Sequence, residues 1–119
     1  MESILTSIKK LLMLDENDIS FDADIIMHIN TVLSILNQLG VGPDKGLSIT
    51  DKSTTWGQFL DTSPNLDSVR SYVYLKVKLL FDPPSSSAVI ESINRVVGEL
   101  EWRINATAEA LRRAGQVPL

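Results

Sequence analysis

Between Ser87 and Arg113 the apolar residues Ile90, Ile93, Val97, Leu100, Ile104 and Leu111 follow alternating steps of three and four, with Thr107 at the one missing place. This heptad seam constrains the fold more than any other feature of the chain. It predicts a helix about 40 Å long at 1.5 Å per residue. Glu91 and Arg95, Glu99 and Arg103, and Glu109 and Arg113 each set an acid four residues before a base, an orientation worth roughly 0.2–0.5 kcal/mol per pair. Val89, Val96 and Trp102 lie off the seam. A helix with a seam and further apolar residues needs several neighbours from its own chain or one from another chain.

Three more segments show helical spacing. Ile4, Leu5, Ile8, Leu11 and Leu12 form the stripe of a short first helix from Glu2 to Met13. Ile25, Ile29, Val32, Leu33, Leu36 and Leu39, widened by Ile26 and Ile35, predict a central core helix from about Ala23 to Leu39. Asp22 or Ser20 is placed to cap its start, and Gly40, Gly42 and Pro43 to end it. Leu66, Val69, Tyr72, Val73, Val77 and Leu80 predict a third long helix from about Asn65 to Phe81, stopped by Asp82-Pro83-Pro84. Between these, Gly46-Leu47-Ser48-Ile49-Thr50 alternates like a short strand, so a small hairpin or extended arm is expected. Thr54 or Thr55 can then cap a short helix through Trp56, Phe59 and Leu60. The predicted fold is all-α: a compact bundle of about four to five helices, with a long C-terminal helix and one irregular loop or small β-hairpin. One helical domain is expected over residues 1–113, with an arm at 43–64 and a glycine-led C-terminal tail at 114–119.

Composition removes several classes of function. At 119 residues, 44% hydrophobic and 22% charged, the chain is sized and composed for a single core. The absence of cysteine excludes disulfides, thiolate zinc sites and cysteine nucleophiles. Lys9 and Lys10 interrupt the first apolar stripe where a signal peptide would carry its hydrophobic stretch. No apolar run approaches the roughly 18–20 residues that span a bilayer, so a soluble, unexported protein without a membrane partner is expected. A net charge of −4 argues against gripping nucleic acid with the whole surface.

The residues that carry chemistry are sparse. His28 is the only histidine, and it is expected to be partly buried and hydrogen-bonded at the edge of the central helix. No serine sits in a glycine-flanked elbow that His28 could serve. Gly40-Val41-Gly42 lacks the third glycine of a dinucleotide fingerprint and reads as a helix stop. The acids Asp15, Glu16, Asp18, Asp22 and Asp24 lack the glycine and closing glutamate of an EF-hand loop and read as solvated acids at a helix start. Tyr72, Tyr74 and Trp102 suit core packing or an interface anchor. Arg70, Lys76, Lys78, Arg112 and Arg113 read as solvated helix faces or a basic surface. No catalytic, cofactor-binding or metal-binding residue is predicted, no cofactor is implied, and the chain is not expected to be an enzyme.

The segment from Tyr72 to Pro84, Tyr-Val-Tyr-Leu-Lys-Val-Lys-Leu-Leu-Phe-Asp-Pro-Pro, is followed by serines and then by Glu99-Leu100-Glu101-Trp102-Arg103. With Met27-His28-Ile29-Asn30, Gln38-Leu39-Gly40-Val41-Gly42 and Thr55-Trp56, it resembles the small head-tail connector, or adaptor, proteins of long-tailed bacteriophages. The likeness covers most of residues 20 to 106. It implies a non-enzymatic virion protein that assembles with itself in a twelve-fold ring on the portal of the DNA-filled head. It also implies contact with the next neck or tail protein, and passage of DNA through the ring without sequence-specific binding. The site would be the virion's head-tail interface, reached from the host cytoplasm during assembly. Two rival readings are a helical binding module that regulates a host or phage protein, and a DNA-binding accessory protein using the five basic residues named above.

Overall fold

The computed structural model describes residues 2–60 and 66–116. Five helices follow in order: α1 (Ile4–Leu11), α2 (Asp22–Gln38), α3 (Trp56–Leu60), α4 (Leu66–Phe81) and α5 (Ser87–Gln116). Among the described residues there is no sheet, only an isolated antiparallel bridge between Ser3 and Thr55. The all-α expectation holds.

The first helix starts where Ser3 Oγ accepts from the Thr6 amide at 3.2 Å. Its buried face presents Ile4, Leu5 and Ile8 to the core. The central helix α2 buries Ile25, Ile29, Val32, Leu33 and Leu36, the stripe expected from their spacing. Its end is a Schellman motif: the Gly40 amide donates to Asn37 O and the Val41 amide to Leu36 O, both at 3.0 Å. Gly40 takes the required left-handed backbone (φ +94°), and buried Val41 seals the turn.

Its start differs from expectation. Phe21 holds the cap position without a side-chain bond, Asp22 is the first helical residue, and the Ser20 amide is taken by Asp18 Oδ1 at 2.9 Å. The Asp22 carboxylate turns instead to Lys9, 2.8 Å away. An ion pair at that range outcompetes a neutral amide for the same oxygen.

Of the two forms expected at 46–50, the hairpin does not form and the segment is an irregular loop. Ile49 is buried at 1% exposure, and the Asn30 side chain holds its backbone. Asn30 Oδ1 accepts from the Ile49 amide at 2.7 Å, and Nδ2 donates to Ile49 O at 3.0 Å. One amide side chain thus supplies both bonds that a strand would have supplied. Further on, Thr55 and Gln58 form a reciprocal cap for α3: Gln58 Oε1 accepts from the Thr55 amide at 2.7 Å and Thr55 Oγ1 from the Gln58 amide at 3.3 Å. Trp56, fully buried, donates from Nε1 to Ser7 Oγ at 2.7 Å, which fastens the returning chain to α1.

The fourth helix packs mainly on α2 and α5 and buries Val69, Tyr72, Val73 and Val77. The proposed start at Asn65 lies outside the described residues. After the Asp82-Pro83-Pro84 corner, Ser86 Oγ accepts from the Val89 amide at 3.4 Å and opens α5. That helix continues past Arg113 and through Gly115 to Gln116, so Gly115 does not stop it as expected. Glycine costs a helix interior only about 1 kcal/mol. Residues 117–119 of the predicted tail lie outside the described residues. At roughly 45 Å for 30 residues, α5 runs most of the molecule's 52 Å long axis.

Candidate interaction surfaces

The long helix is only half covered by its own chain. Among its described side chains, Val97 and Ile104 alone are buried; Ile93 and Leu100 pack partly against the core. Leu111, at the end of the seam, is half exposed, as are Val89 and Val96. Trp102 is 73% exposed, so of the two expectations, core packing or an interface anchor, it does not take the core position. Periodicity puts it opposite the seam, and among the described residues no second layer of helices lies there to cover it. Tyr72 is in the core and Tyr74 half-buried.

Beside α5, an apolar hollow of about 400 Å³ opens between it and α4, lined by Leu75, Ala88, Val89, Ser92, Ile93 and Val96. Ser92 is the one polar side chain in that lining. A surface of this kind, apolar and not closed by the chain's own residues, fits a partner's side chains better than water. Two of the three predicted i,i+4 pairs border this helix as ion pairs: Glu99 with Arg103 at 2.7 Å and Glu109 with Arg113 at 3.7 Å. The Glu91–Arg95 pair does not close.

Three of the five basic residues considered for DNA are already paired with acids. Arg70 pairs with Glu2 at 3.5 Å, Lys78 with Asp82 at 2.9 Å, and Arg113 with Glu109. Arg112 instead lies beside Gly40, its guanidinium 2.9 Å from where a β-carbon there would sit. Charges already neutralised by neighbours release few counterions from DNA.

His28 is half-buried on α2 and has no hydrogen-bond partner among the described residues. No group of three His, Asp or Glu side chains among the described residues is placed to hold a metal ion. No described helix is long and apolar enough to cross a membrane.

The residue that sequence reasoning missed is Lys9. Its side chain is buried (2% exposed), and Nζ donates to Glu16 O at 3.0 Å and Asp18 O at 2.7 Å, besides meeting Asp22. One ammonium thus makes two hydrogen bonds and an ion pair that tie together α1, the connection and the start of α2. The available signal was its place four residues after Leu5, on the apolar face of α1. The acids at 15–24 are therefore more than solvated helix-start charges: their backbone is wrapped around a cation. Asp15 and Asp18 each also accept the amide two residues on, at 2.9 Å. The bonds from Ser20 hold the Asp18 carboxyl below its ordinary range.

No curated protein and no solved structure matches the chain. A model of a family described as phage connector protein matches residues 4–110, a span that includes α1 to α4 and α5 as far as Ala110. The helical architecture and this match agree with the resemblance of the Tyr72–Pro84 and Glu99–Arg103 motifs, and the chain belongs to the phage connector protein family.

Proposed function

We propose that the chain forms a closed ring that docks on the portal of the DNA-filled phage head and joins it to the next neck or tail protein. The observation that carries this reading is the half-covered α5 helix, with Val89 and Val96 exposed beside an apolar hollow and Leu111 exposed farther along it. A closed ring needs a heterologous interface, one patch meeting a different patch on the next copy. The outer face of α5 supplies one such patch, and Trp102 supplies an aromatic anchor of the kind enriched in interface centres. Twelve copies are proposed around a channel through which DNA passes without base-specific contact. The folded unit that repeats is the helical domain up to the end of α5, and it acts in the virion, after assembly from the host cytoplasm.

The net charge of −4 favours a channel wall that does not hold DNA, and the pairing of Arg70, Lys78 and Arg113 with acids works against the accessory DNA-binding reading. The role requires no catalysis. The experiment is electron microscopy of DNA-filled heads from a phage lacking this gene, with and without the purified protein. A ring added at the portal vertex together with restored tail joining supports the proposal; heads that join tails without the protein overturn it.

A further inference from the structure

The connection between α1 and α2 combines three properties that the ring reading does not use. It exposes large apolar side chains: Met13 at 91%, Ile19 at 75% and Phe21 at 46%. It carries Asp15, Glu16 and Asp18 with no lysine or arginine. Those three negative charges make up most of the whole chain's net −4, and all the remaining residues together sum to −1. And it is held in one shape. Lys9 binds it from within, Phe21 meets Phe81 edge-on at 5.6 Å, and Met13 is fixed in the left-handed region at φ +63°, where a methionine is rarely found.

A backbone held in an unfavourable conformation to display an almost fully exposed methionine contributes little to a stable monomer. A pre-shaped loop does, however, lower the ordering cost of docking. We infer that residues 12–21 are a docking knob for a protein other than this one, whose contact surface is an apolar pocket bordered by lysine and arginine. Charge decides against a second copy. Outside the knob the chain sums to −1 and so has no excess of positive charge to offer, and Arg70, Lys78, Arg103 and Arg113 are in addition each paired with an acid of their own. It decides equally against DNA, which an acidic rim repels. The inference rests on the connector reading for its setting, and names the chemistry of the head or neck protein that this face meets.

The test uses the full-length protein and purified DNA-filled heads and tails that lack it. Met13→Gly removes the apolar side chain and the backbone strain together, so its thermal stability should equal or exceed the wild type. Ile19→Ser removes the second anchor. A triple variant, Asp15→Asn, Glu16→Gln, Asp18→Asn, keeps the turn-forming acceptors and discards the charge. Met13→Gly and Ile19→Ser should each weaken docking to heads or to tails by about tenfold. The triple variant should lose the steep salt dependence of the wild type. Wild-type docking and salt dependence in all three variants would overturn the inference while leaving the connector reading intact. Loss of ring assembly, with docking of preformed rings unchanged, would make a second copy the occupant and overturn it as well. Failure of the wild type itself to dock on either particle would overturn the connector reading and this inference together.

Discussion

Tyr72 and Glu101 join the middle of α4 to the middle of α5 through one 2.6 Å hydrogen bond, the phenol donating to carboxylate Oε2. Tyr72 is fully buried, and burial is the larger reason that its pKa stands well above the ordinary phenol value of 10, with the bond to Glu101 and its negative charge adding to it. Because the folded state holds this proton more tightly than the unfolded chain, the contribution is complete below pH 10 and is lost as pH climbs through the higher folded value. Tyr72→Phe should cost about 1–2 kcal/mol near neutral pH and flatten the fall in stability above pH 10. Thermal melts of both proteins across the alkaline range check this.

Lys9 is the deepest charge among the described residues. Replacing it with methionine would leave Glu16 O, Asp18 O and the Asp22 carboxylate facing an apolar chain end. Removing one partner of a buried pair costs about 3–5 kcal/mol; Asp22 is a quarter exposed, which places Lys9→Met near the lower end. Lys9→Met combined with Asp22→Leu should recover part of the loss. Denaturant titration of the single and double variants measures both, and equal midpoints for Lys9→Met and wild type would contradict the structure.

Gly42 and Gly46 offer a matched comparison. Both have positive φ, +89° and +80°, so a side chain at either costs about 1–2 kcal/mol in backbone conformation. At Gly42 a β-carbon would stand 2.5 Å from Phe59 Cε1, whereas at Gly46 nothing lies within 4 Å. Gly42→Ala should therefore destabilise by about 2–4 kcal/mol, strain and overpacking together, and Gly46→Ala by only the conformational part. Their difference in unfolding free energy isolates the Phe59 contact.

Val96 lies at the mouth of the α4–α5 hollow and is half exposed. Val96→Lys should change monomer stability by no more than about 0.5 kcal/mol, as surface substitutions usually do, yet abolish ring formation at concentrations where the wild type assembles. Trp102→Ala should act in the same direction. Sedimentation velocity and electron microscopy read the outcome; intact rings from both variants would remove the α5 face from the interface.

The four longer helices were legible because 3.6-residue periodicity and turn chemistry are local properties. Gly40 marked a real Schellman turn, Thr55 a real cap and Pro83-Pro84 a real corner. What was not legible depended on partners distant in sequence. The alternation at 46–50 looked like a strand, but Ile49 finds its hydrogen bonds on the side chain of Asn30, nineteen residues away. Asp22 had the right chemistry for a cap and was claimed by Lys9. Periodicity also states which residues share a face without stating whether that face is covered, so Trp102 and Lys9 came out on the sides opposite to their types. No sequence motif marks the candidate surfaces because they consist of apolar side chains, which carry no spacing motif of their own.

The central claim is tested most directly by imaging DNA-filled heads from a phage lacking this gene after adding the purified protein. The account predicts new ring-shaped density of twelve subunits at the portal vertex, with α5 faces in contact between neighbours, and recovery of tail joining. Heads that show no added density, or that join tails equally well without the protein, would contradict it.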